Sequence, residues 1–539
     1  MSSHMLSGLL LILLVGLIYI SFLTGRRESK LPPGPPTLPI IGNLHQIPKS
    51  GAHFKFTEWA RQYGGIFSLK LGPATAVVIS SPALVKDLLD RRSNIYSSRP
   101  PSYVSEELIT RGDHILIRTN DDKWRLQRKL VHQFFSEARC EKDYLTLQNA
   151  EAVQMLRDTC LAPEQFMYHP KRFGNSIIMS LVFGVRSPTI TTPHLVELYE
   201  ILEQWSSVME TGATPPIDIF PALKWVPEWL FGNWITRSRK IGKAMDRLYS
   251  RMLSHVEQRR AKSDNDKRQS FVDSMLDQKE VAQDLTPNQI MFLGGALMEG
   301  GSDTSSSVIL VFVQAMITFP DVQKKAQAEI DAVVGEDRSP LWSDYAKLPY
   351  VAMIVKETMR WRPVTPLSVP HASREEDTIS GLKIPAGSTV ILNVWALHND
   401  PTLRPSPSTF NPSRYASHPL PASAYTTASA DRDHYGYGAG RRICPGIHLA
   451  ERNLFIAMAK LLWAFDLGRA RDGDGKDVPV DVDPLTGYSE GFLVCPKDFK
   501  VDARVRSERR RKTIMDEFDT AEKDVFCLYD DLGLGKGGE

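Results

Sequence analysis

The sequence predicts a mainly α fold with a small β-sheet region, set behind one N-terminal membrane-spanning helix, and three observations predict it. From about Asp121 to Glu357 most segments place apolar residues at helical spacing. Strand-like runs are confined to two short regions, near residues 66–80 and 382–394. Leu6 to Leu23 is an almost unbroken apolar stretch, about 27 Å long at helical rise, which matches the thinner bilayer of the endoplasmic reticulum.

Taken in order, the N-terminal stretch has no cationic region before it and no small-residue cleavage site after it; Arg26, Arg27 and Lys30 follow directly. These flanks disfavour a cleaved secretory peptide and place the downstream chain in the cytoplasm. Residues 1–30 are therefore an anchor with its basic flank. Leu31-Pro32-Pro33-Gly34-Pro35-Pro36 is too rich in proline for helix or sheet and reads as a stiff hinge at the start of a domain covering 31–500.

Ile66 to Leu71 and Ala76 to Ser80 form a hairpin about Gly72-Pro73, and Pro82 to Arg92 has helical spacing. Gly212 to Gly232 interrupts the helical region with Pro and Trp and reads as a mobile, partly apolar lid. Pro287 to Phe319 is a long apolar helical segment, interrupted at its middle by Glu299-Gly300-Gly301-Ser302-Asp303-Thr304-Ser305. The two mid-helix glycines cost about 1 kcal/mol each, and the hydroxyls after them can bond freed carbonyls, which opens a groove. A merely kinked helix with capped polar residues is the plain alternative. Leu382 to Pro385 and Thr389 to Val394 are strands, Pro401 to Pro421 is a proline-rich meander, and His448 to Phe465 is a helix. Beyond Val501 a basic run, Arg504 to Lys512, precedes an acidic one, and residues 501–539 read as a disordered tail.

Composition narrows the function classes. With 539 residues, 42% of them hydrophobic and 24% charged, the chain is globular, and a net charge of +2 gives no electrostatic case for nucleic acid. Cys140, Cys160, Cys444, Cys495 and Cys527 include no Cys-x-x-Cys pair and leave one over, so a disulfide framework is disfavoured and a reducing compartment favoured. There is no phosphate loop, dinucleotide fingerprint, His-x-x-x-His or Gly-x-Ser-x-Gly, so the chain carries no flavin domain of its own and does not read as a hydrolase.

The chemistry concentrates in Tyr437-Gly-Ala-Gly-Arg-Arg-Ile-Cys-Pro-Gly446. Cys444 lies between a glycine-rich turn and a helix, where backbone N–H groups and the helix dipole can hold its sulfur as a thiolate, a good iron ligand. Arg442 adds a permanent cation close by. Elsewhere, Trp124 and Arg128 sit one helical turn apart and can reach one anionic group together, though an amphipathic surface helix has the same spacing. Glu357 and Arg360 share a helix face three residues apart, as an ordinary surface pair also would.

The pattern aromatic-x-x-Gly-x-Arg-x-Cys-x-Gly resembles the haem-ligand loop of the cytochrome P-450 family, the haem-thiolate monooxygenases. The order of motifs extends the resemblance from about residue 5 to residue 500. It implies a mostly helical, single-domain cytochrome P-450 fold binding haem b, with Cys444 as its axial thiolate. Tyr437 stands where the family usually has Phe, which adds a hydroxyl that needs a partner if buried.

The run Gly300 to Ser305 is similar to the family's distal motif, which assigns Thr304 to hydrogen-bonding the dioxygen being activated and Asp303 to relaying protons. Glu357, Arg360 and Arg414 are implied to form a buried charge network that fixes the loop leading to Cys444. Trp124, Arg128, Arg442 and His371 are implied to hold the haem propionates, and a lone His such as His371 also reads as an ordinary structural residue. Electrons then come from a separate NADPH-dependent reductase, with cytochrome b5 as an auxiliary donor. Arg125 and Lys129 could add to a positive face for that donor. The partners are thus the reductase, membrane lipid through the N-terminal helix, dioxygen and a small-molecule substrate, at the cytoplasmic side of the endoplasmic reticulum.

The runs Leu297 to Ser306 and His434 to Arg441 look similar to fungal secondary-metabolism members that hydroxylate small phenolics of the m-cresol and m-hydroxybenzyl alcohol type. Glu299 and Ser302 are the residues that could orient a phenol. Ile109 to Arg118, Thr365 to Val369 and Gly487 to Phe492 correspond to pocket-lining segments of the family. A terpenoid or fatty-acid substrate, a reductase-independent isomerase or peroxygenase, and a non-catalytic haem sensor are the competing readings; an intact Asp303-Thr304 argues against reductase independence.

Overall fold

The computed structural model describes residues 16, 24–210, 212–262, 269–278, 283–426, 432–491 and 493–529. The apolar stretch Leu6 to Leu23 lies, Gly16 apart, outside the described residues, and among those described no single helix is long and apolar enough to cross a membrane. The longer helices are α1 (Ala52–Tyr63), α2 (Asp122–Phe134), α3 (Leu145–Leu161), α4 (His169–Phe183), α5 (Pro193–Met209), α6 (Trp234–Lys262), α7 (Pro287–Thr318), α8 (Pro320–Val333), α9 (Pro349–Trp361), α10 (Ile447–Ala464) and α11 (Glu508–Asp524).

The strands are β1 (Ile66–Leu71), β2 (Ala74–Ile79), β3 (His371–Ala372), β4 (Asp377–Ile379), β5 (Leu382–Ile384), β6 (Thr389–Leu392), β7 (Phe465–Arg469) and β8 (Val501–Val505). One sheet runs β1-β2-β6-β3, with β2 and β6 parallel and the outer pairs antiparallel; β4–β5 and β7–β8 are separate two-stranded ribbons.

Helix α7 is the spine. A capping box starts it: Thr286 Oγ1 accepts from the Gln289 N–H at 3.2 Å and Gln289 Oε1 accepts from the Thr286 N–H at 3.1 Å. Pro320 ends it, since proline has no N–H with which to continue the ladder. Residues 305–317 are buried all round, as a central helix requires. The helix runs unbroken through Glu299 to Ser305, where the sequence suggested an interruption. Ser302 Oγ donates to the Met298 carbonyl at 2.6 Å and Thr304 Oγ1 to that of Gly300 at 2.7 Å, so the hydroxyls decorate an intact ladder. Gly174 lets α4 close on α7: a Cβ there would stand 2.8 Å from the Ser302 carbonyl oxygen.

Two expectations need correction. Residues 501–529 are ordered: β8 pairs antiparallel with β7, and α11 buries Arg510, Ile514, Phe518 and Ala521 against the body, while the rest of the expected tail lies outside the described residues. Its charges have specific partners, Arg510 with Asp331 at 2.7 Å and Glu336 at 3.2 Å, and Glu517 Oε1 accepting from the Ser339 N–H at 2.8 Å. The helical stripe was hidden inside the charge runs. The proline segment, in turn, is docked and is no free spacer: Arg27 donates to the carbonyls of Gly34, Pro35 and Ser68 at 2.8, 2.9 and 2.8 Å, and the Ser68 N–H donates to the Pro33 carbonyl at 2.8 Å.

Residues 212–232 form no long element, only two short 3-10 turns that leave Trp225, Trp229, Leu230 and Phe231 exposed.

Candidate active site

The cysteine loop is held by backbone contacts made before any side chain matters. The Cys444 N–H donates to the Tyr437 carbonyl at 2.9 Å, and the Gly440 N–H donates to Asp90 at 2.9 Å, itself clamped by Arg432 at 2.7 Å. Gly440 has φ +63°, and a Cβ there would fall 1.9 Å from the Leu89 carbonyl oxygen, so only glycine fits. Cys444 then leads into α10 through Pro445 and Gly446 and is partly exposed.

Burial pushes the Cys444 thiol up, and the backbone N–H of Gly446 and the Arg128 guanidinium oppose this only in part. A bound metal ion would add the stabilisation that holds the sulfur as a thiolate there. Tyr437 lines a void of about 20 Å³ with His434, Lys356 and Glu451, room for one water. Burial pushes the Glu451 carboxyl up to about 7.

A ring of satisfied charge backs this loop. Glu357 takes Arg360 on both oxygens, at 2.7 and 2.8 Å, and Arg414 at 3.3 Å; Glu357 and Arg360 are fully buried and Arg414 is partly buried. Glu357 Oε1 also accepts from the Asn411 N–H at 2.8 Å. Arg360 donates to the His398 carbonyl at 3.1 Å. His398 connects the ring to the loop: its Nδ1 meets the Arg360 carbonyl at 3.1 Å and its Nε2 accepts from the Tyr435 N–H at 2.7 Å. That second contact fixes the tautomer, and burial holds the ring neutral. His398 carried no signal in the sequence, since it lies far from both partners along the chain.

Around Trp124 the charges are not satisfied. Arg442 lies over the Trp124 ring at 3.9 Å and donates only to carbonyls, those of Ser97 at 2.8 Å, Arg118 at 2.6 Å and Ile115 at 3.3 Å. Arg128 donates to the Ile443 carbonyl at 2.7 Å, and Arg99 to those of Leu116, Val369 and Pro370 at 2.9, 2.8 and 2.8 Å. Among the described residues none of these three guanidiniums has a carboxylate within ion-pair distance, and the buried Trp124 Nε1–H has no acceptor. Burial, and then mutual repulsion, depresses Arg442 to about 8 and Arg99 to about 9.

His371 stands beside them with Nδ1 on the Tyr96 carbonyl at 2.8 Å, depressed to about 3 by burial and by Arg99 and Arg442. Three clustered, partly buried cations and an idle indole N–H call for an anion, and a group bearing two carboxylates fits them. Arg99 is the member sequence reasoning missed.

On α7, Gly300 has nothing within 4 Å of where a Cβ would be, and Thr304 is partly exposed. Burial raises Asp303, while Lys171 works against the shift. Tyr199 Oη approaches the Ser302 carbonyl and Ser306 Oγ, both at 3.4 Å. Ser302, expected to face a ligand, is turned away: its hydroxyl accepts from Asn175 of α4 at 2.9 Å and it is fully buried. Glu299 is held instead by His114 and Tyr249.

The comparisons with known proteins agree with this construction. The family model described as Cytochrome P-450 matches residues 32–495. The chain belongs to the cytochrome P-450 family. It is 55% identical over 514 residues to the cytochrome P-450 monooxygenase macC of Penicillium terrestre, covering 94% of this chain and 96% of that one. It is 52% identical over 528 residues to the cytochrome P-450 monooxygenase yanC of Aspergillus niger, covering 97% of each. Similarity to the cytochrome P-450 monooxygenase patH of Penicillium expansum is 51% over 524 residues, 97% of this chain and 98% of that protein.

A zebrafish cytochrome P-450 solved with abiraterone superposes with a TM-score of 0.65 over 85% of this chain and 100% of that one, and at 23% identity it bears on the fold alone. This cytochrome P-450 is thus an oxidoreductase of the monooxygenase class whose cofactor is a haem-thiolate. The cationic cradle of Arg99, Arg128, Arg442 and Trp124 fits the propionates of that group, and Cys444 fits its thiolate.

Proposed function

We propose that this cytochrome P-450 hydroxylates a small phenolic metabolite of secondary metabolism, at the cytoplasmic face of the endoplasmic reticulum. Electrons reach it from NADPH through a separate reductase, with cytochrome b5 as an auxiliary donor. The reaction takes one substrate, one dioxygen, two electrons and two protons to hydroxylated product and water. The observation that carries the reading is the cluster of arginines without carboxylate partners beside the Cys444 loop, where Arg128 donates to the Ile443 carbonyl and Arg442 lies over Trp124.

When bound, haem supplies the redox chemistry, and its thiolate ligand favours O–O cleavage. Cys444 would ligate the iron, and Arg99, Arg128, Arg442 and Trp124 would hold the propionates, with His371 next to them as a neutral ring. Thr304 gives its proton to the Gly300 carbonyl and so keeps its lone pairs on the open side, able to accept from a water or to turn and donate. Asp303, raised by burial, can carry a proton at its carboxyl oxygen and release it toward Thr304.

Membrane attachment is supported by a second surface. Leu38 and Ile40 are exposed, and the Gly72 turn ties that region to the 212–232 segment: its N–H donates to the Ile41 carbonyl at 3.2 Å, and it packs against Ile219 and Phe220. Trp225, 90% exposed, Trp229 and Leu230 are further exposed apolar side chains of that segment, which suits contact with the bilayer to which Leu6 to Leu23 would anchor the chain.

A carbon monoxide difference spectrum of the reduced protein tests the site. Thiolate-type absorption is expected in the wild type and its loss in Cys444→Ala; a band typical of histidine-ligated haem would overturn the assignment. Turnover of a phenolic panel that requires reductase and NADPH tests the reaction.

A further inference from the structure

Glu299 has surroundings that the family resemblance does not explain. It is 8% exposed, immediately precedes the open Gly300, and among the described residues has no Lys or Arg within ion-pair distance. A buried carboxylate without a cation needs donors. His114 and Tyr249 are those donors.

The His114 Nδ1 accepts from the Leu116 N–H at 3.2 Å, so the proton sits on Nε2, which donates to Glu299 Oε2 at 2.9 Å. The Tyr249 hydroxyl of α6 donates to Oε1. Both neighbours have spent their protons, whereas each carboxylate oxygen keeps a free lone pair. The cluster accepts hydrogen bonds and offers none.

Its place in the fold is that of a substrate handle. His114 belongs to the loop whose Ile115 and Arg118 carbonyls receive Arg442, so the same loop touches the cofactor cradle and Glu299. The partly exposed Trp205 of α5 packs edge-on against the His114 ring at 5.2 Å and gives an aromatic wall. Glu299 and Thr304 are five residues apart on α7, about 7.5 Å along its axis.

We propose that Glu299, oriented by His114 and Tyr249, accepts a hydrogen bond from the hydroxyl of a neutral phenolic substrate and excludes anionic ligands. The proposal rests on the small-phenol reading above and names the group that recognises it. His114 and Tyr249 are positioning residues.

The test is optical titration of the haem-loaded protein, which reads binding independently of turnover. The probes are 3-methylphenol, its methyl ether, 3-methylbenzoate, 1-dodecanol and dodecyl methyl ether, against wild type, Glu299→Leu and Glu299→Gln. Wild type is expected to bind 3-methylphenol about 10- to 100-fold more tightly than the ether, the range for a hydrogen bond to a charged acceptor. Glu299→Leu should erase that preference, and Glu299→Gln should admit 3-methylbenzoate more readily than wild type does.

A phenol preference that survives in Glu299→Leu overturns the handle and leaves the small-phenol reading standing. Preference for dodecanol over its ether, with neither aromatic probe bound and the preference lost in Glu299→Leu, keeps the handle and overturns small phenols as the substrate. No donor preference in either series overturns both. Should Glu299→Leu fail to load haem, continued exclusion of 3-methylbenzoate by Glu299→Gln overturns the handle.

Discussion

The assembly around Glu357 and the cradle around Trp124 are both made of arginines buried wholly or in part, yet they are opposite in kind. In the first, Arg360 and Arg414 share a carboxylate and every remaining donor finds a carbonyl. In the second, Arg99, Arg128 and Arg442 find carbonyls only, and a tryptophan N–H finds nothing. A closed network of that sort stabilises the chain that contains it; an open one stores unfavourable charge until something from outside neutralises it. The contrast separates architecture from receptor without reference to any ligand being present.

The strongest way to break the contrast is Glu357→Gln. It strands two buried guanidiniums and is expected to destabilise even the haem-free fold by about 3–5 kcal/mol, read as a lower urea midpoint. A midpoint within error of wild type would show that the ring is ornamental. Phe518→Ala in α11 asks whether the C-terminal helix belongs to the architecture as well. Removing a buried ring should cost about 3 kcal/mol in the same unfolding assay and leave the ferrous carbonyl spectrum unaltered.

Arg442→Ala goes the other way. The haem-free protein should unfold no more easily, since a like charge has been removed, whereas haem transfer to apomyoglobin should run about 10- to 100-fold faster through loss of charge-assisted hydrogen bonds. Equal damage to both states would put Arg442 with the ring.

The smallest effect concerns pH and lies away from both assemblies. Burial depresses His53 and His194 to about 4, so each is neutral in the fold, while the unfolded chain takes up a proton below its ordinary value of about 6.5. Stability is therefore full above about pH 6.5. It should fall by up to about 1.4 kcal/mol per pH unit for each ring as the pH drops toward 4. His194→Gln should flatten this decline in urea midpoints taken from pH 7 to 5.

What could be read from the sequence follows from range. The hairpin around Gly72, helix α7 and the cysteine loop are local, with turn, cap and spacing inside one window, and they appear in the structure within a residue or two of their expected bounds. Trp124 with Arg128 and Glu357 with Arg360 were visible for the same reason. Arg99, His114, Tyr249 and His398 were not, because each meets its partner only after distant elements pack. Ser302 was misjudged because a period of 3.6 turns it toward α4, and proximity in sequence to Thr304 concealed that. Helix α11 escaped notice because Arg510, Ile514, Phe518 and Ala521 keep helical spacing inside runs of charge that, taken by composition, signal disorder.

The clasp made by Arg27 has a practical corollary for anyone shortening the chain. Trimming back to the first proline deletes the side chain that fastens that ribbon to β1, along with the Thr24 carbonyl that receives the Ile40 N–H at 2.6 Å. A cut ahead of Thr24 preserves both attachments, and with them the angle at which the polypeptide leaves the sheet.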